Sequence, residues 1–206
     1  MDYDFVQILQ NAILNKHISK LPNGGSPNQL DLTGHYVRNI INNICSQCRS
    51  YLEIGLYRGG TFTAALHGNQ IQAFGIDDFS QNWGPNSSRD EFFDRLADAV
   101  GRNDVEIYEG DCWGVPDEKL KTYDVYMFDG PHGYQDQYDA LPCFIENMND
   151  EFIYIVDDYD YVKSPEVVRG VQNSIKDLKL TILIDYYFPA GPGFHEGVYF
   201  CVLKKS

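Results

Sequence analysis

Four side chains in the second half of this 206-residue chain have the types and spacing to do chemistry: Asp129, His132, Asp157 and Asp158. Asp129 and His132 lie at the end of Tyr123-Asp124-Val125-Tyr126-Met127-Phe128-Asp129-Gly130-Pro131-His132-Gly133-Tyr134, and the aspartate pair ends Ile155-Val156-Asp157-Asp158. Both sets of acids follow an apolar, strand-like run. Neighbouring strands lie roughly 4.8 Å apart, so if these two are adjacent their acids converge on one point. Carboxylate oxygens with open positions suit Mg²⁺, or Mn²⁺ or Ca²⁺, rather than zinc. Crowded carboxylates repel one another and hold protons more tightly, and a divalent cation removes that penalty. The competing reading is local: Asp129 caps a helix that begins near Pro131, and the aspartate pair caps the next one. His132, three positions after Asp129, is a candidate general base for a substrate hydroxyl, with loop hydrogen bonding as the alternative.

A second group is the turn Tyr51-Leu52-Glu53-Ile54-Gly55-Leu56-Tyr57-Arg58-Gly59-Gly60-Thr61. An acid ends an apolar run and Gly55, Gly59 and Gly60 follow, leaving main chain bare where a ligand comes close. Read as G-x-G-x-x-G, the turn puts Tyr57 in the middle position, where a side chain obstructs a pyrophosphate. An NAD-dependent oxidoreductase is disfavoured on that ground. Two later strand ends are also acidic. Asp77 is placed to accept both ribose hydroxyls of a nucleoside, against a plain loop acid or cap. Asp111 is placed to accept from an adenine amino group, with Trp113 along the ring face, against core packing of the tryptophan.

The glycine turn resembles motif I of the class I S-adenosylmethionine-dependent methyltransferases. Asp129-Gly130-Pro131-His132-Gly133-Tyr134 and the later Asp157-Asp158 resemble the Asp-Gly-x-His-x-Tyr signature and paired acids of one branch. That branch, methyltransferase family 24-like, includes metal-dependent O-methyltransferases acting on sugars and natural products. Order and spacing agree through most of Ser50 to Lys205, although Pro131 stands where the branch often has a further acid. The resemblance implies S-adenosylmethionine held by Glu53, Gly55, Gly59, Gly60, Asp77, Asp111 and Trp113, with Glu53 near the methionine amino group. It implies Mg²⁺, or Mn²⁺ or Ca²⁺, on Asp129, Asp157 and Asp158. It also implies methyl transfer to a small-molecule or sugar hydroxyl with His132 as base. The alternatives are a metal-independent transferase, a non-catalytic nucleoside-binding protein of the same fold, and the NAD enzyme.

The elements that must position these residues alternate. Strands are expected at Ser50–Ile54, Ile71–Ile76, Val105–Tyr108, Tyr123–Phe128, Phe152–Val156, Leu180–Tyr187 and Val198–Leu203, with helices near Thr61–His67, Arg89–Val100, Gln135–Asn147 and Pro165–Lys176. The fold expected is α/β: a Rossmann-like, mostly parallel seven-stranded sheet with helices on both faces. The last two strands flank Pro189-Ala190-Gly191-Pro192-Gly193 with no helix between them, so they form an antiparallel hairpin. Residues 1–206 make one domain, with an N-terminal helical cap over 1–48 lying across the site and a catalytic core over 49–206. The long connection from Asp78 to Arg89 reads as a binding loop. Tyr159, Tyr161, Tyr186 and Tyr187 are open to two readings, an aromatic acceptor wall or core and edge residues.

A formal charge of −14 argues against nucleic acid and anionic membrane as partners. No apolar run approaches the roughly 20 residues that cross a bilayer, and no basic-then-apolar start is present. A cytoplasmic address follows as the expectation, and five cysteines without a secretory signal are expected to be reduced thiols.

Overall fold

The computed structural model describes residues 4–22, 32–81 and 86–206. Asn23-Gly24-Gly25-Ser26-Pro27-Asn28, whose glycine and proline content predicts a turn, and Trp83, Gly84 and Pro85 of the expected binding loop, lie outside these residues. The seven strands are β1 (Ser50–Ile54), β2 (Gln72–Asp77), β3 (Asp104–Glu109), β4 (Tyr123–Phe128), β5 (Met148–Asp157), β6 (Thr181–Gly191) and β7 (His195–Lys204). They form one sheet in the order β3-β2-β1-β4-β5-β7-β6. β1 to β5 run parallel, and β7 inserts antiparallel between β5 and β6. The Rossmann-like architecture expected from the alternation is the one observed.

Among the described residues, six α-helices cover the sheet: α1 (Phe5–Leu14), α2 (His35–Cys45), α3 (Gly60–Leu66), α4 (Ser88–Ala99), α5 (Tyr134–Phe144) and α6 (Pro165–Asp177). Strand alternation splits the core in two. Tyr51, Val125, Met127, Ile153 and Ile155 pack with α1, α2 and α3 on one face. Leu52, Ile54, Tyr126, Phe128, Tyr154 and Val156 pack with α5 and α6 on the other. The inner strands β1 and β4 are buried along their whole length, as parallel strands covered on both faces must be.

Several element boundaries depart from expectation. β5 starts at Met148 rather than Phe152, because Tyr123 pairs with Met148 before the register shifts at Val125. β6 runs through Pro189 to Gly191; it is the outermost strand, where a proline costs no ladder bond. The helices of the segment expected as a cap, α1 and α2, pack on a sheet face, while Leu32 and Thr33 of the same segment line the cavity at the strand tips. Leu9, Val37, Ile40, Ile41 and Ile44 are fully buried on a sheet face, and α2 packs along α3.

Candidate active site

The register puts the chemistry in one row. Ile76, Ile54, Phe128 and Val156 are aligned across β2, β1, β4 and β5. The residues that follow them, Asp77, Gly55, Asp129 and Asp157, therefore sit side by side at the carboxyl edge of the sheet. Strand order reverses between β1 and β4, the place where open α/β sheets bind ligands. A cavity of about 500 Å³ opens there, lined by the glycine turn, both acids after β2, Asp111 to Trp113, and the acids of β4 and β5.

The glycine turn is held from below. Gly55 has φ +87°, and a Cβ on it would lie 2.0 Å from the Asp129 main-chain oxygen. No other residue fits there. Tyr57 adopts the left-handed region at φ 47° and lines the cavity. Asp77 ties the turn to β2: its Oδ2 accepts from the N–H of Leu56 at 2.6 Å and of Tyr57 at 2.7 Å, while Oδ1 accepts from Phe79 at 2.6 Å. A carboxylate offers about four acceptor positions, so three are already used. Asp77 faces the cavity, but its main occupation is shaping the turn.

Glu53 and Gly59 are placed differently from the other expected donor-site residues. Glu53 is fully buried, and neither it nor Gly59 lines the cavity. Side chains alternate along a strand, so Glu53 points into the sheet face, where it accepts hydrogen bonds from Tyr51 and Thr61. Burial pushes its carboxyl up to about 8, against those two bonds. Thr61 carries the contact onward, because it both bonds Glu53 at 2.5 Å and lines the cavity. Gly59, at φ +82°, begins α3 and packs against the Phe92 ring.

Asp111 accepts from the Trp113 N–H at 3.1 Å. The two residues and Cys112 line the same wall. Trp113 is not packed into the core: it is 39% exposed, an available flat surface for a base. Its ring centroid lies 6.3 Å from that of Phe128.

The acids of β4 and β5 converge with His132. His132 Nε2 is 3.0 Å from Asp158 Oδ2 and 4.0 Å from Asp129 Oδ1. One ligand atom from each of Asp129, His132 and Asp158 lies within 4.8 Å of the others. Asp157 is buried beside them. The capping alternative is not what the helices use: α5 starts after Gly133 and α6 after Ser164. Burial, then the charges of Asp158, Glu53 and Asp77, drives the Asp129 carboxyl well above the usual range. Burial, then Asp129 and Asp158, does the same to Asp157. Asp158 is raised by burial, against the pull of His132 and His195. Asp158 also carries a strained backbone, φ 53°, of the kind that clusters at functional sites. This cluster of hard carboxylate oxygens fits a divalent cation.

Several lining residues carried little or no sequence signal. Asp78, beside Asp77, keeps one oxygen on the Ser80 N–H at 2.9 Å and faces the cavity; the adjacent acid pair was its only hint. Leu32 and Thr33, before α2, and Glu196, in the terminal hairpin, close the remaining side, brought there by tertiary docking. His195 lines that side too. Tyr159, Tyr161, Tyr186 and Tyr187 do not line the cavity. Tyr159, Tyr161 and Tyr187 pack edge to face on one another instead.

The sheet order is the fold seen in solved structures of S-adenosylmethionine-dependent methyltransferases. TomG, an O-methyltransferase of Streptomyces achromogenes involved in tomaymycin synthesis and solved with its methyl donor, matches with TM-score 0.56 at 14% identity, over 100% of this chain and 92% of that one. A ribosomal-protein methylase from Lactobacillus delbrueckii subsp. bulgaricus matches with TM-score 0.58 at 13% identity, over 83% and 78%. A Streptococcus mutans protein named for the same donor matches with TM-score 0.60 at 14% identity, over 82% of this chain but 48% of its own length. The chain thus spans about half of that last structure. No family model matches the sequence. An uncharacterized protein of Acanthamoeba polyphaga mimivirus is 23% identical over 161 residues, 75% of this chain and 72% of the viral protein.

Proposed function

We propose that this protein is an S-adenosylmethionine-dependent methyltransferase that methylates a hydroxyl oxygen of a small molecule, a sugar or natural product, with a divalent cation assisting. One observation carries the reading: the glycine turn, Asp77, the Asp111–Trp113 wall and the Asp129–His132–Asp158 cluster all face one cavity at the strand tips. The donor would bring a methyl carbon already activated by its sulfonium, and the cation would lower the pKa of the acceptor hydroxyl.

The chain's own residues supply alignment and a proton sink. Asp77 fixes the turn against which the donor lies. Trp113 offers a face for the adenine, and the remaining acceptor positions of Asp77 and Asp78 face the ribose. Asp129, Asp157 and Asp158 would hold the cation. With Nε2 held by Asp158, His132 keeps its other ring nitrogen to take the hydroxyl proton, the orientation logic of a carboxylate–imidazole pair. The cavity lining is acidic, and Arg58, which pairs with Glu91 at 3.1 Å, is its sole Lys or Arg among the described residues. That balance disfavours a phosphate-bearing acceptor.

Calorimetry with S-adenosylmethionine, with Mg²⁺ and then with EDTA, tests the reading. Donor binding that tightens with Mg²⁺, together with labelled methyl transfer to a hydroxyl panel, is the expected result. Donor binding without turnover across the panel would indicate a binding protein of this fold. Binding of NAD in place of the donor would sink the proposal.

A further inference from the structure

The loop that carries His132 has few anchors of its own. Its first residue, Asp129, donates its N–H to Ile54 O at 2.8 Å. Beyond that point, among the described residues, a single hydrogen bond reaches the main chain of Gly130, Pro131 or His132: Gln137 Nε2 donates to Pro131 O at 3.0 Å. Gln137 also donates its own N–H to Gly133 O at 3.1 Å. The same residue therefore grips the loop at two carbonyls, one on each side of His132.

Gln137 is an odd choice for its surroundings. It is fully buried on α5, and its Oε1 accepts no hydrogen bond. A buried amide oxygen without a donor is destabilising, and an apolar side chain of the same size would avoid the cost. What only the amide can do here is hold Pro131. The packing keeps it aimed. α6 presses on the first turn of α5 at Gly170, where a Cβ would lie 2.7 Å from Gln137 Cβ and 2.6 Å from Tyr134 O.

We propose that Gln137 is a positioning residue: its side-chain amide, bonded to the Pro131 carbonyl, holds the Asp129–Gly133 loop in the shape that brings Asp129 and His132 to Asp158. The proposal rests on reading that loop as the cation-holding and proton-accepting one. It touches neither donor nor acceptor, so its effect is on geometry.

The test uses the full chain in three forms: wild type, Gln137→Met, which keeps volume and removes the donor, and Phe144→Leu, a core change on the same helix. Backbone ¹⁵N order parameters are measured for Gly130, His132 and Gly133, and Mn²⁺ and S-adenosylmethionine affinities by calorimetry. In Gln137→Met the order parameters should fall from about 0.85 toward 0.6. Mn²⁺ affinity should fall about 10- to 100-fold, as for residues that orient metal ligands, while donor affinity stays within about twofold of wild type. Phe144→Leu should lower Tm and leave all three readings in place. Should the Met variant not fold, Gln137→Asn withdraws the amide by one methylene and should give the same pattern. Unchanged order parameters in either variant overturn the proposal. If wild type takes up no Mn²⁺ yet the loop still loosens in Gln137→Met, the cation reading fails and the positioning role stands.

Discussion

Asp77 looks like a ligand residue but spends its carboxylate on main-chain N–H groups. Each such charge-assisted bond contributes about 1.5–3 kcal/mol. Asp77→Ala should therefore weaken S-adenosylmethionine binding by at least about tenfold, chiefly by loosening the Leu56–Tyr57 turn. Calorimetry checks this, and unchanged affinity would refute the placement. His132→Ala separates the two halves of the site. It should leave donor affinity intact and cut methyl transfer by about 10²–10⁴-fold, and full activity would exclude it as the base. The buried acids predict an unusual pH response. Glu53 binds its proton more tightly folded than unfolded, with a folded value of about 8 against the ordinary 4.5, and Asp129 and Asp157 shift in the same direction. The folded protein thus carries extra protons across that window, so stability should fall as pH rises from about 5 to 8. Thermal melts without metal should show it; a Tm that climbs over this range would contradict the assignment.

At the scale of elements, the site depends on contacts that only glycine permits. Gly55→Ala would drive a Cβ into the Asp129 main chain, and it should cost several kcal/mol and abolish donor binding. The terminal hairpin is docked in the same manner. A Cβ on Gly34 would lie 2.0 Å from Gly193 O, which accepts from the Tyr36 N–H at 3.1 Å, and Phe194 packs on Tyr36. Gly34→Ala should lift the hairpin from α2 and lower Tm by several degrees, at about 2–4 °C per kcal/mol for a chain of this size. Because Thr33, His195 and Glu196 line the cavity, the proposed function predicts that acceptor KM should rise while donor affinity holds. These contacts could not be read from sequence. Strands and helices announce themselves by local period, and the strand after Arg49 or the helix after Ser164 follows from neighbouring residues alone. Docking of a hairpin turn on a helix start is set by residues far apart in the chain. For the same reason Thr33 and Glu196 went unseen while Asp129 and Asp157, at the ends of legible strands, did not.

For the whole molecule, the parallel sheet does what its alternation foretold: it carries acids from separate stretches of chain to one edge. Sequence could place Glu53 at a strand end, yet not show that the strand turns it inward, because that depends on which face the edge row takes. Nor could spacing reveal that His132 sits closer to Asp158 than to Asp129. The solved structures that share this fold are named for different acceptors, so the fold by itself does not fix one. The Gly55–Asp129 contact has a consequence for ligand occupancy. Since the turn that would seat the nucleoside rests directly on the main chain of Asp129, a proposed cation ligand, the two proposed sites share a wall. Heterotropic linkage should follow: whatever factor Mg²⁺ changes the donor's affinity by, the donor must change that of Mg²⁺ by the same factor. Scarcity of either would then empty both seats together.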